Sequence, residues 1–376
     1  MNIQRVSNQK AKAGYPAWPL FFMPCRGALL LTCLLGLVAC EETYPKVTAS
    51  PDFKVGLVSD TGKVSDGTFD QSAYEGGLRA SKDFAVPFDY VESQSIDEFQ
   101  ANIENFVSKS YKMIVTVGFL MENVTQAMAK KFPDTKFAIV DVSYEQASNQ
   151  LLGLVFAEDQ TAFLAGALAG KVSMHKQVGV IGGLNIPPVK RFVQGFVNGL
   201  AYTCPECKLS CSYIQSFTAQ AKGRAEAERM IRDEHIDVLF AAGGPTGSAA
   251  ILRAAALGVG VIGVDKDEYY TSFKAGAEPG AEMLLANATK SIDVAVYTAI
   301  QKAIDDSYSA GSLRFNLSNN GVALKGFHSS LVSEDQRREI DAIAKEMAAG
   351  FIRTGVDADG ANTEHPSQEC SLIEGT

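Results

Sequence analysis

Short apolar runs alternate with helix-patterned stretches from residue 54 to residue 264, and this alternation restricts the fold more than any other feature of the chain. The runs fall at 54–59, 87–91, 113–117, 137–140, 151–155, 178–181, 209–215, 238–241 and 260–264. Helical patterns separate most of them, at about 70–83, 96–109, 121–131, 159–173, 189–202, 219–233 and 246–257. An apolar run without polar alternation is a strand buried on both faces, and strands alternating with helices build parallel sheets covered on each side. The spacing predicts an α/β fold of two doubly wound parallel-sheet lobes. The chain is expected to cross between them near Glu158, near 265–269 and near Leu313. Residues 52–157 with 267–312 then make an N-terminal lobe, and 158–266 with 313–376 a C-terminal lobe. A three-crossing hinge lets such lobes close on a ligand. A last helix at about 333–349 is expected on the second lobe, followed by a polar tail from Thr354 that frays unless Cys370 pins it.

In open α/β sheets, ligands bind beyond the carboxyl ends of the strands. The first strand ends at Asp60, then Thr61, Gly62, Asp66 and Phe69 precede a helix that opens with Asp70. The third strand ends at Gly118 and Phe119 and the fourth at Asp141. In the second lobe the ends are Gly182 and Gly183, Ser216 and Phe217, Gly243 and Gly244, and finally Asp265; Lys290 follows a shorter apolar segment. Glycines let backbone approach a ligand, phenyl rings offer flat apolar faces, and carboxylates accept hydrogen bonds from hydroxyl and ring N–H groups. That set suits a flat heterocycle carrying hydroxyls, a nucleoside, whereas several acids would repel a phosphate. Stacking contributes about 1–3 kcal/mol per base and a hydrogen bond to a charged partner about 1.5–3 kcal/mol. Two faces and three such bonds reach the roughly 8 kcal/mol of a micromolar site. Taken singly, a strand-end Asp is more often a turn or cap residue, and Asp66 in particular reads as one. Phe192 and Phe196, four apart on one helix, read as core, as do Phe156 and Phe163.

The first 39 residues carry Arg5, Lys10, Lys12 and Arg26 and no acid, and Gly27 to Val38 is an apolar run too short to span a bilayer. The run ends Leu-Val-Ala-Cys at Cys40, which resembles the lipobox of bacterial lipoproteins. Residues 1–39 therefore read as a lipoprotein signal peptide, Cys40 as the lipidated residue, and 40–51, polar with two prolines, as a tether. Each buried CH₂ contributes about 0.8 kcal/mol, so more than one acyl chain anchors stably. Glu41 after the cysteine allows outer-membrane sorting where the host has two membranes. The net charge is −9, and it becomes more acidic once the leader is removed, which argues against nucleic-acid binding and a polybasic lipid site. The one Trp lies in the leader, so any aromatic platform uses Phe or Tyr.

Cys204, Cys207, Cys211 and Cys370 form an even set suited to two disulfides in an oxidising compartment, with three pairings open. A redox Cys-x-x-Cys needs its first Cys at a helix N-terminus after a strand, whereas this pair lies in a Pro-containing loop between a helix and a strand. A four-Cys zinc site is conceivable, and structural disulfides are favoured over it. Gly258 to Gly263 matches G-x-G-x-x-G but enters a strand rather than leaving one, and Gly56 to Lys63 is one residue too long for a phosphate loop. The four His residues are scattered without metal-ligand spacing, and no cofactor is called for.

Several stretches together resemble the basic-membrane-protein (PnrA-like) family of nucleoside-binding lipoproteins. They are D-T-G-K-V-S-D-G-T-F-D-Q at 60–71, V-G-F at 117–119, F-P-D-T-K-F-A-I-V-D at 132–141, F-A-E-D-Q-T-A-F-L-A-G-A-L-A-G at 156–170, G-G-L-N-I-P at 182–187, F-V-Q-G-F-V-N-G at 192–199, Y-I-Q-S-F at 213–217 and G-V-D-K-D at 263–267. The resemblance covers nearly all of 52–330 and implies a periplasmic-binding-protein-like type I fold. It also implies a membrane-anchored protein outside the cytoplasm that captures a purine nucleoside and delivers it to an ABC-type permease. By the same resemblance Phe69 stacks on the purine and Phe217 closes the sandwich, with Phe192 as its competitor. Asp141 reads the base, while Asp60, Asp265 and Lys290 hold the ribose. Thr61, Gly118 and Gly243 complete the expected contacts. Asp70 departs from the Asn usual in the family, which bears on base preference. A monomer is expected. The alternatives are a binding protein for a sugar or another small polar ligand, and, less favoured, a nucleoside hydrolase or Cys-based oxidoreductase, for which no nucleophile–base pair is evident.

Overall fold

The computed structural model describes residues 49–144, 150–363 and 370–373. Cys40 and most of the expected tether lie outside the described residues. The chain runs β1 (Val55–Ser59), α1 (Phe69–Phe84), β2 (Phe88–Glu92), α2 (Phe99–Ser108), β3 (Met113–Val117), α3 (Glu122–Lys131), β4 (Lys136–Val140) and β5 (Leu151–Phe156). It continues through α4 (Glu158–Val172), β6 (Gln177–Gly182), α5 (Pro187–Thr203), β7 (Lys208–Tyr213), α6 (Gln220–Glu234), β8 (Val238–Ala242), α7 (Gly244–Ala256) and β9 (Gly260–Asp265). The last elements are β10 (Leu284–Lys290), α8 (Ile292–Ile304), β11 (Gly311–Phe315), β12 (Val322–Lys325), α9 (Glu334–Ala348) and β13 (Ser371–Leu372).

Two sheets result, ordered β11-β5-β4-β3-β1-β2 and β12-β10-β9-β8-β6-β7-β13. Every pairing is parallel except that of β10 with β12. The inner strands β1, β3 and β8 are buried along their whole length, because helices cover both faces. β2, at an edge, keeps a polar and half-exposed pattern. Each lobe has its own cores. Val55, Val115, Ala138 and Leu154 pack with Ala295 and Ile300 of α8 in the first, and Val180, Phe240 and Ile262 pack with Phe196 of α5 in the second. In the second lobe α4 and α5 meet backbone to backbone. A Cβ on Gly199 would lie 1.9 Å from the Phe163 carbonyl oxygen, so only glycine permits this approach. α9, opened by a capping box between Ser333 and Gln336, packs on the second lobe.

The crossings differ from expectation in two places. The first lies at Ala157–Glu158, between β5 and α4. The second does not lie at 265–269. β10 pairs with β9 in the second sheet, so the chain stays in that lobe to Lys290 and crosses at Ser291 into α8. The third follows Phe315 rather than Leu313, since all of β11 pairs with β5. The expected division 267–312 and 313–376 is corrected accordingly, with residues 267–290 in the second lobe and 313–315 in the first. The cause is Asn287 and Thr289, which interrupt the apolar pattern of β10 although both are buried. Asn287 is satisfied by distant groups, accepting from Glu268 N (3.1 Å) and donating to Asp267 Oδ1 (3.1 Å). The crossings are laced together by Ala157 N to Phe315 O (2.9 Å), Leu317 N to Gln160 Oε1 (2.9 Å) and Ser291 N to Gly321 O (2.9 Å).

Among the described residues, Cys204, Cys207, Cys211 and Cys370 form two disulfides, Cys204–Cys207 and Cys211–Cys370. The second ties the tail to β7, beside which β13 adds as an edge strand.

Candidate functional site: a slot between the lobes

The carboxyl ends of the inner strands of both sheets face one another across a cavity. It is a narrow slot lined from both lobes. The first lobe contributes Asp60, Asp66, Phe69, Asp70, Gly118 and Asp141. The second contributes Ile186, Val189, Phe192, Phe217, Gly243 and Asp265, and Lys290 stands at the second crossing. Ten of the eleven residues expected at a ligand site thus line one cavity. Thr61 does not line it. It lines an adjoining groove with Lys63 and Ser65 of the first lobe and Gln220 and Arg224 of the second. Asp66, read from the sequence as a turn or cap residue, lies two residues before the N-cap Thr68 and accepts from the backbone N–H of Thr68 (2.8 Å), Asp70 (3.2 Å) and Gln71 (3.2 Å) at the start of α1. It lines the slot as well, a double role the cap reading did not include. Outside the slot, Lys266 Nζ meets Glu75 Oε2 across the lobes at 2.7 Å, so the clamp stands closed.

Local backbone aims these groups. Asp141 (φ 70°) and Asp265 (φ 64°) sit in the left-handed region directly at strand ends, costing about 1 kcal/mol each. Gly118 (φ 103°) lies against Asp60, where a Cβ would come within 2.5 Å of Oδ2.

The slot holds more acid than its cations balance. Burial pushes the Asp60 carboxyl up to about 6; the Gly62 N–H (2.9 Å) pulls it down and Asp66 and Asp141 add to the rise. Burial raises Asp265 to about 7, against the pull of Lys290. Asp70, 3% exposed, is driven well above the carboxylate range by burial and then by Asp60, Asp66, Glu92 and Asp265. Oδ1 atoms of Asp70 and Asp265 are buried without a hydrogen-bond partner. Such atoms are costly unless a ligand reaches them.

Lys290 is the exception to this shortage. Its Nζ lies 2.6 and 2.8 Å from the Asp141 oxygens and 3.0 Å from Glu158 Oε1. It also sits 5.1, 4.8 and 5.8 Å from the ring centres of Phe69, Phe156 and Phe192. Burial alone would lower its pKa, but the carboxylates outweigh that and hold the ammonium above its ordinary value. Phe192 is core-buried and packs 6.1 Å from Phe240, whereas Phe217 is half-buried against Gly183. Among the described residues no cluster of His, Cys, Asp or Glu is arranged to hold a metal ion, and no helix is long and apolar enough to cross a membrane.

Two doubly wound lobes on a three-strand hinge, closed over a slot lined by strand ends, define a solute-binding clamp. The family described as ABC transporter substrate-binding protein PnrA-like matches residues 53–353, and the chain belongs to it. A protein named ABC transporter nucleoside-binding protein BmpA, from Lactococcus lactis subsp. cremoris, is 30% identical over 79% of this chain and 89% of its own. Basic membrane protein A of Borreliella burgdorferi is 28% identical over 85% of this chain and 92% of its own. The crystal structure of an ABC transporter solute-binding protein from Aeropyrum pernix K1 superposes with a TM-score of 0.71 over 80% of this chain and 92% of that one, at 22% identity, which supports the fold. The chain is therefore an ABC transporter substrate-binding protein, a carrier of a small molecule to a permease rather than a member of an enzyme class.

Proposed function

We propose that the slot takes a purine nucleoside, and that the protein, lipid-anchored at Cys40 outside the cytoplasm, works as a monomer that hands the nucleoside to its permease. The observation that carries this reading is the pairing of phenyl groups on opposing walls with carboxyl oxygens that have no partner. Phe69 lines the slot from the first lobe and Phe217 from the second, and the same lining includes Asp70 and Asp265, whose Oδ1 atoms have no hydrogen-bond partner. A base slides between the rings. Asp60 and Asp265 accept from the ribose hydroxyls beside Lys290. Asp141 meets the base edge with the lone pairs its bonds to Lys290 leave free, because a carboxylate offers about four acceptor positions. Burial and then four neighbouring acids push the Asp70 carboxyl toward its protonated form, which can donate to a ring nitrogen or carbonyl. The relative from Lactococcus lactis is named for nucleoside binding, which agrees. The acid excess disfavours a phosphate, hence a nucleotide.

Melting the delipidated protein against a panel of adenosine, guanosine, inosine, uridine and common hexoses tests the ligand class. Stabilisation by purine nucleosides alone is expected, and stabilisation by sugars alone would overturn the reading. Labelling with a palmitate analogue should mark the wild type and not Cys40→Ala, which would also release the protein from membranes; an unlabelled wild type would remove the anchor.

A further inference from the structure

Behind Lys290 runs a line of buried charge that leaves the slot and reaches the surface. Glu158, fully buried, is the first residue of α4 and sits on the first crossing, while Lys290 ends β10 at the second. Their ion pair at 3.0 Å therefore ties two crossings together beside the slot. The other Glu158 oxygen, Oε2, accepts from Arg191 Nε at 2.8 Å, and Arg191, on α5, is 8% exposed. Arg191 Nη1 in turn donates to the Ala358 carbonyl at 2.6 Å. Ala358 belongs to a stretch of the C-terminal tail that is strapped across α5. Asn198 donates to the Thr354 carbonyl at 2.7 Å, and Gly360 lies so close to Lys190 that a Cβ there would come within 2.3 Å.

We propose that Glu158 and Arg191 are positioning residues for Lys290, with the Ala358 carbonyl as the outer stop of the relay. A buried ion pair gains little over apolar packing of the same volume, so stability alone is a weak reason for this one. Its geometry serves placement. Lys290 has one carboxylate partner facing the ligand space, Asp141, and one outside that space, Glu158. When a ligand engages Asp141, Glu158 still holds the ammonium, and Arg191 keeps Glu158 from turning toward the slot. Burial would raise the Glu158 pKa, but Arg191 and then Lys290 outweigh it, so Glu158 stays charged. The affinity part of the proposal rests on the nucleoside reading; the placement of Lys290 does not.

The test uses nitrogen-labelled protein and the Nζ resonance of Lys290, assigned by its loss in Lys290→Arg. Arg191→Lys keeps the charge but not the forked reach to Glu158 and Ala358, and Glu158→Asp keeps the charge one methylene short. Both variants are expected to shift the Lys290 Nζ resonance and speed its exchange with water. Both should also weaken inosine binding by about tenfold, the scale of one hydrogen bond to a charged group. Should both fold and leave that resonance where it is in the wild type, the proposal is overturned, even if they melt lower. If the wild type binds no nucleoside, the proposed function fails, and the resonance still decides whether Lys290 is positioned by this relay.

Discussion

The two walls of the slot are built on opposite principles. The first-lobe wall is crowded with side-chain charge: Asp60, Asp66, Asp70 and Asp141, with Phe69 beside them. The second-lobe wall is mostly apolar surface and bare backbone, from Ile186, Val189, Phe192 and Phe217 to Gly243 and Gly244, with Asp265 as its one acid. The difference follows from the chain. In the first lobe the loop after β1 folds back so that Asp66 can cap α1, which brings three acids into one corner. In the second, the loops after β6 and β8 contain glycines that let backbone stand where side chains would fill the space; Gly183 and Gly243 are in backbone contact. Polar groups are concentrated on one wall and apolar surface on the other, so substitutions on the two walls should differ in how they divide between stability and binding.

The comparison breaks most visibly at Phe192. Because it is a core residue that only edges the slot, Phe192→Ala should cost about 3–5 kcal/mol of stability, read by denaturant unfolding. A stability loss below about 1 kcal/mol would make it a ligand platform instead. Phe69, half-buried, should behave in the opposite way. Phe69→Ala is expected to weaken nucleoside binding by about 1–3 kcal/mol, the range for loss of one stacking face, while leaving unfolding nearly unchanged.

The acids of the two walls sharpen it through pH. Asp265 has a folded-state pKa of about 7, above its unfolded value near 3.9. A raised value means that its protonated form stabilises the fold, an effect complete below pH about 4 and lost as pH rises through about 7. The ligand-free protein should therefore melt lower at pH 8 than at pH 5, and Asp265→Asn should reduce that difference. An unaltered pH slope in the variant would show that Asp265 does not carry the effect. Asp70→Asn has the smallest expected consequence, since an amide keeps both the neutrality and the donor of a protonated carboxyl. Purine affinity near neutral pH should stay within about threefold of wild type, less than one hydrogen bond. A large loss would mean that Asp70 binds as the ionised form.

Legibility in the sequence divided along physical lines. β1, β3, β8 and β9 could be read because parallel strands inside an α/β sheet are continuous apolar runs, and that same topology sends their carboxyl ends to one edge. Asp60, Asp141 and Asp265 could then be named from position alone. β10 was misplaced because Asn287 is satisfied by Asp267 and Glu268, partners that no local pattern discloses. α8 and β11 lie in the first lobe, where residues up to 312 are expected, but neither is legible as a helix or strand because its pattern is less regular than that of the inner strands. Glu158 and Arg191 went unread for a related reason, since Glu158 meets Lys290 only when two crossings distant in sequence lie side by side. Thr61 shows the limit from the other direction, because a residue adjacent to a site residue in the chain can face a different groove.

The central claim is that Phe69 and the slot's carboxyl groups hold a purine nucleoside, and calorimetric titration of inosine into wild type and Phe69→Ala tests it most directly. Micromolar or tighter binding to the wild type, weakened at least about fivefold by the substitution, is the predicted result. No binding below millimolar in the wild type, or equal affinity in the two proteins, would contradict it.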